Sequence, residues 1–257
     1  MTSASAESRV VGRAADALRG ARRAVALTGA GISTPSGIPD FRSAGSGLWE
    51  RYDPMAVASL TSFRYDPEGF FRFLRPLARH ILAALPNAAH VALARLEHAG
   101  RLRAVITQNI DQLHQRAGSR QVVEVHGSIR RATCIACYRE VDAAPYLLAF
   151  VERGLVPRCE ACGGVLKPNV VLFGEQLPRQ AYDAAAARCR EADVVLVAGS
   201  SLEVTPASLL PRLALDGGAR LIIVNREPTY LDDRADVVLR DDLVEALPAV
   251  AAEVLGD

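Results

Sequence analysis

Gly29-Ala30-Gly31-Ile32-Ser33-Thr34-Pro35-Ser36-Gly37-Ile38-Pro39-Asp40-Phe41-Arg42 follows the apolar run Ala24-Val25-Ala26-Leu27-Thr28. A β-rich run that feeds Gly-x-Gly is how a first strand presents backbone N–H groups to a dinucleotide pyrophosphate. A plain strand-ending glycine turn is the lesser, blander reading of Gly29 and Gly31. The third glycine of the usual fingerprint is missing, and Ser33 stands in its place. Pro35, Gly37 and Pro39 forbid the long helix that normally follows such a turn. The chain offers instead a stiff loop carrying Asp40, Phe41 and Arg42. A loop that breaks the expected pattern beside a phosphate site points to function.

Outward from this stretch, helix and strand patterns alternate. Ser8–Leu18 reads as a helix, and Arg103–Thr107, Val122–Val125, Val194–Ala198, Leu221–Val224 and Val237–Leu239 read as further strands. Continuous apolar runs are what strands buried on both faces require. Pro54–Leu85 reads as mostly helical, with Phe70, Phe71, Phe73 and Leu74 more readily core than cofactor surface. Asn87 caps a helix through His98, and Arg179–Glu191 and Pro206–Leu215 complete the helices. His90 and His98 lack ligand-spaced partners and read as structural or exposed. The alternation predicts an α/β fold, a doubly wound parallel Rossmann-like sheet.

Polar residues follow the ends of these strands, where α/β sheets bind ligands. Gln108, Asn109, Ile110 and Asp111 follow the second strand, and His126 follows the third. An imidazole titrates near neutrality, so His126 is a candidate general base; a hydrogen-bonded loop histidine is the plainer reading. Gly199, Ser200 and Ser201 follow the fourth strand, and Asn225, Arg226 and Glu227 the fifth. Their convergence on one sheet edge argues against independent accidents.

The alternation breaks between Ser128 and Pro168, where Cys134-x2-Cys137 and Cys159-x2-Cys162 stand. Two such knuckles predict a structural tetrathiolate zinc site, because thiolates suit zinc and no fifth donor leaves an open position. Cys189, the fifth cysteine, reads as buried. The formal charge of +1 excludes a strongly basic nucleic-acid binder. No apolar run approaches the roughly 18 residues of a membrane span. The polar N-terminus shows no signal-peptide pattern, so a cytoplasmic location is expected.

The chain resembles the sirtuins, NAD-dependent protein lysine deacylases. The resemblance is carried by Gly29–Ser33 with Gly37–Arg42, Thr107–Asp111 with Leu113-His114, Val125-His126-Gly127, the paired knuckles, Phe173-Gly174-Glu175, and Gly199–Leu202 with Val204 and Pro206. It implies one catalytic domain with NAD between two parts. The larger would comprise about 8–42, 87–127 and 169–257; the smaller, a helical insertion at about 43–86 and a zinc-ribbon insertion at about 128–168. By resemblance His126 is the general base on a ribose hydroxyl, while Asn109 and Asp111 hold the nicotinamide carboxamide and a water. Ala30, Ile38, Phe41 and Ile110 would wall the nicotinamide pocket, and Ile32 would also contact the cofactor. Gly29, Gly31, Ser33, Asp40, Arg42 and Gln108 complete that end. Gly199, Ser200, Ser201, Asn225, Arg226, Glu227 and Leu243 would line the adenosine end.

An acyl-lysine protein substrate should add as a strand between Val171-Phe173-Gly174-Glu175 and Glu203-Val204. Family members that remove succinyl groups carry a Tyr-x-x-Arg pair; Phe71 and Leu74 occupy the aligned positions here, so neutral acyl groups, acetyl first, are expected. Lys167-Pro168-Asn169 and Thr34-Pro35 resemble a bacterial subgroup. The alternative is an NAD-dependent mono-ADP-ribosyltransferase. A monomer without nucleic-acid or membrane partners is expected.

Overall fold

The computed structural model describes residues 3–41 and 47–257; Arg42 lies outside the described residues. In chain order the elements are α1 (Ser3–Gly20), β1 (Ala24–Thr28), α2 (Pro54–Val57), α3 (Leu60–Tyr65), α4 (Pro67–Ala83), α5 (Ala88–His98), β2 (Ala104–Thr107), α6 (Leu113–Arg116) and β3 (Val122–Glu124). There follow β4 (Gly127–Cys134), β5 (Glu140–Asp142), α7 (Ala144–Arg153), β6 (Leu166–Val170), α8 (Arg179–Glu191), β7 (Val194–Ala198), α9 (Leu210–Asp216), β8 (Arg220–Val224), β9 (Val237–Leu239) and α10 (Leu243–Leu255).

Six strands form one parallel sheet in the order β3-β2-β1-β7-β8-β9. The order reverses between β1 and β7, which pair from Ala24↔Val194 to Thr28↔Ala198. That reversal is where doubly wound sheets open a crevice. Every residue of β1 is buried, because both faces are covered. Ala24 and Ala26 face a core shared with α1, α5 and α10, and Val25 and Leu27 face one shared with α8 and α9. Alternation along a strand sends neighbours to opposite faces, so these four residues serve two cores.

A second sheet, β5-β4-β6, is antiparallel and carries the four knuckle cysteines near its strand ends. The helical stretch after β1 is three helices rather than one. Asp53, Ser59 and Asp66 each accept a backbone N–H and restart the helix. Phe63, Phe70 and Phe71 are buried there, and Phe71 packs edge-on against Phe150 of α7, 5.2 Å between centroids. Three helices carried no sequence expectation: the short α6, α7 inside the cysteine segment and α10 at the C-terminus. α10 starts at Asp242, whose carboxylate accepts from Val244 N, and ends on left-handed Gly256. Pro248 in its middle hides the helical pattern. The Pro206–Leu215 expectation resolves into a 3-10 turn, Ala207–Leu209, followed by α9. No described helix is long and apolar enough to cross a membrane.

Candidate active site at the switch of the sheet

β1 ends at Thr28, and its backbone turns at once across the start of the β7 loop. Gly29 N donates to Ala198 O and Gly31 N to Gly199 O, 3.2 and 2.9 Å. A Cβ on Gly31 would stand 2.9 Å from Gly199 Cα, and one on Gly199 would stand 2.4 Å from Ile32 N. Gly199 also has φ +62°, in the left-handed region. These glycines therefore let two backbones touch at the switch point. Two short 3-10 turns, Ala30–Ile32 and Thr34–Ser36, then carry the chain onward, as the prolines require. Asn87 caps α5 and also ties this loop down, since its Nδ2 donates to Ile32 O (2.8 Å) and Ser36 Oγ (3.0 Å).

Ser33 occupies the missing-glycine position for a reason visible in its partners. Its hydroxyl donates to Asp111 Oδ2 (2.7 Å) and accepts from Asn109 Nδ2 (3.0 Å). Asn109 Nδ2 also donates to Gly29 O (3.0 Å). Asp111 Oδ1 accepts from Leu113 N (2.9 Å), and burial raises the carboxyl pKa against these stabilising bonds. Gln108 Nε2 reaches Ser200 Oγ at 2.9 Å, joining the β2 end to the β7 end. His126 stands beside them, its Nδ1 at 3.0 Å from Gln108 O. A carbonyl oxygen can only accept, so Nδ1 carries the proton and the lone pair of the neutral ring lies on Nε2. That is the tautomer a general base needs.

Below this layer lie two histidines that sequence reading left out of the site. His90 and His114 are buried with ring centroids 4.9 Å apart. Burial lowers their pKa to about 4 and about 3, with the neighbouring His90 a further, smaller effect on His114. His114 Nε2 bonds Thr28 Oγ1 (2.9 Å), and Thr28 Oγ1 donates to Thr107 Oγ1 (2.9 Å). His114 Nδ1 has no partner. Both rings are thus neutral parts of a polar floor under Ser33 and Asp111. A histidine at Leu-His-Gln after a strand-end Asp was their one sequence signal.

The remaining expected residues divide. Ile38 is buried, and Ile110 packs with it against α4 and α7. Phe41 stacks on Trp49 (5.0 Å), which also meets Phe73 and Phe173. Trp49 thus joins the loop after β1 to the segment after β6, a role its sequence position did not show. Asp40 O accepts from Leu48 N. Leu243 packs against Gly199, and Asn225 is buried with Nδ2 donating to Glu227 O (2.7 Å). Arg226 turns away to Asp242 at the start of α10 (2.6 Å). Val171 N donates to His126 O (2.9 Å), and Phe173 pairs with the strand-like bridge at Ser59. The Glu175 carboxylate turns back to its own turn, accepting from Leu172 N (2.9 Å). Ser201 and Val204 are half-buried and Glu203 is exposed.

The four expected zinc ligands converge. Their Sγ atoms lie within 4.8 Å of one another, with Cys134–Cys162 at 3.5 Å and Cys137–Cys159 at 3.8 Å. A tetrahedron with Zn–S near 2.3 Å has edges of about 3.8 Å. The Cys137 N–H draws the Cys134 thiol down to about 6 against the opposing effect of burial. A Cβ on Gly164 would stand 2.9 Å from Cys134 Sγ, so this knuckle needs its glycine. The donor set fits one structural zinc ion.

A parallel sheet with a polar crevice at its switch, a histidine at the rim and a four-cysteine module alongside defines a nucleotide-cleft α/β enzyme with a structural metal site. Residues 29–206 match the model of the Sir2 family. An NAD-dependent protein deacetylase of Sulfurisphaera tokodaii is 51% identical over 227 residues, covering 88% of this chain and 89% of that protein. A solved Sir2 enzyme superposes with TM-score 0.91 at 44% identity, covering 96% and 98% of the two chains. A Sir2 structure described with a p53 peptide and NAD+ superposes with TM-score 0.85 at 41% identity, covering 94% and 97%. The chain belongs to the Sir2 family.

Proposed function

We propose that the protein is an NAD-dependent protein lysine deacylase that prefers neutral acyl groups, acetyl first. The observation that carries this is the His126 Nδ1–Gln108 O bond, which fixes the basic nitrogen at the rim of a preformed polar crevice. Bound NAD supplies an ADP-ribose acceptor for the acyl group as nicotinamide leaves. Within that crevice Asn109 and Asp111, linked through Ser33, would orient the nicotinamide amide. His126 would take the ribose hydroxyl proton on Nε2. Phe41, backed by Trp49, would keep water from the reacting carbon. Gly199, Ser200, Ser201, Asn225 and Leu243 would hold the adenosine half.

The acyl preference is supported by α4. Phe71 and Leu74 are buried, Arg72 is 74% exposed beside Asp66, and Arg75 Nε donates to Val151 O (2.9 Å). Arg79 Nη2 likewise reaches Val151 O (3.4 Å), so Arg75 and Arg79 are both drawn to the end of α7. The peptide would bind through its backbone between 171–175 and 203–204. We assign NAD cleavage to the cleft between the two parts bounded at about 8–42, 87–127 and 169–257, and 43–86 and 128–168. A cytoplasmic monomer without nucleic-acid partners is proposed on the charge balance and on thiolates that a reducing compartment preserves. ADP-ribosyl transfer to protein draws no support from the site or the relatives and is set aside. The test is nicotinamide release with acetyl-, propionyl- and succinyl-lysine peptides. Acetyl- and propionyl-dependent release is expected; release that favours succinyl, or that ignores the peptide, overturns the reading.

A further inference from the structure

Lys167 is the one lysine of the chain, among 30 basic residues. It lies in β6, and its ammonium runs along its own strand. Nζ donates to Pro168 O (3.2 Å) and Val170 O (3.0 Å) and pairs with Glu175 Oε2 (2.9 Å). Three acceptors thus meet the three N–H bonds of an ammonium. The two side chains are only 15% and 20% exposed, so water screens the pair little.

Glu175 closes the other half of the device. Its Oε2 accepts from Leu172 N (2.9 Å), and its own N donates to Leu172 O (2.9 Å). The turn passes through Gly174 at φ +85°. Phe173, inside that turn, is fastened outward by Phe173 N to Ala58 O and by Leu60 N to Phe173 O, 3.0 and 2.9 Å. Two residues earlier, Val171 N holds His126 O. The segment therefore runs from the base to the turn with both ends fixed, and the Lys167–Glu175 pair joins the strand to the turn.

We propose that Lys167 and Glu175 are positioning residues that hold the 171–175 turn in the shape against which the acyl-lysine peptide docks. This rests on the peptide-edge reading given above. Neither side chain touches the reacting atoms. The pair acts by fixing the shape of the turn before the peptide arrives, which lowers the ordering cost of binding.

The test is steady-state kinetics of the zinc-loaded protein, varying acetyl-lysine peptide and NAD separately. Lys167→Met is expected to raise the peptide KM about tenfold, the scale of losing one bond to a charged group. The NAD KM and kcat should stay within about twofold, since the NAD crevice is built by other residues. Glu175→Gln keeps an oxygen for Leu172 N and loses the charge, so an increase of about threefold is expected. That milder variant decides the matter if Lys167→Met does not fold. Variants with lower melting temperature but unchanged peptide KM would make the pair a fold-supporting contact and overturn the proposal. Equal losses in kcat and NAD KM would overturn it too. A wild-type protein idle with every acyl peptide would instead overturn the deacylase reading on which the pair depends.

Discussion

The crevice at the β1–β7 switch and the cysteine module hold their polar groups in opposite ways. The crevice is finished by the chain itself. Glycine backbones touch, Asn109, Ser33 and Asp111 satisfy one another, and His90 and His114 stay neutral beneath them. The module brings four sulfurs within 4.8 Å, a donor set that an ion completes. Such a site gains its folding energy from the ion. The protein thus closes its crevice with its own hydrogen bonds and leaves the cysteine module to a metal frame.

Removing the ion should break the comparison most sharply. Structural zinc in small modules contributes on the order of 10–16 kcal/mol of apparent binding energy. Cys159→Ser is expected to lose bound zinc, measured by metal analysis, and to melt the β4–β6 module, measured by hydrogen exchange. Exchange protection in β1, β2, β7 and β8 should persist. Simultaneous loss of both regions would show one cooperative unit.

Next comes His126→Ala. Turnover should fall by about 10²–10⁴-fold, the usual contribution of a positioned base. NAD binding by calorimetry and the melting temperature should hold, because Asn109, Ser33, Asp111 and the two buried histidines build the floor.

The floor itself has a pH signature. His90 and His114 have folded pKa values of about 4 and about 3, below the ordinary 6.5. They take up protons on unfolding, so their stabilisation is present above 6.5 and is lost as pH falls toward those values. Two such protons give a slope of about 2.7 kcal/mol per pH unit between about 6 and 4.5. Denaturant melts of His114→Gln across that range should show about half that slope. An unchanged slope would place the proton uptake elsewhere.

The smallest effect tests the glycine contact. Gly31→Ala puts a methyl 2.9 Å from the Gly199 backbone. Overpacking of this kind costs about 1–3 kcal/mol, readable as a lower denaturant midpoint without loss of zinc.

Much of this contrast was legible in the chain. β1, β7 and β8 were plain because strands buried on both faces leave uninterrupted apolar runs. The knuckle spacing placed the four sulfurs, because ligand chemistry demands that spacing. What stayed hidden depended on distant partners. Gly29 and Gly31 looked like a phosphate turn, while their close neighbour in the fold is Gly199. Ser33 looked like a broken fingerprint until Asp111 and Asn109 met it. Trp49 stood in a loop whose aromatic partners come from three segments. α10 was obscured by Pro248, although Asp242 and Gly256 mark its ends.

The most direct measurement is the mass balance of products from NAD and an acetyl-lysine peptide. The account predicts one deacetylated peptide, one nicotinamide and one O-acetyl-ADP-ribose per turnover, all lost together in His126→Ala. Free acetate with intact NAD, or ADP-ribose attached to protein in place of deacetylated peptide, would contradict it.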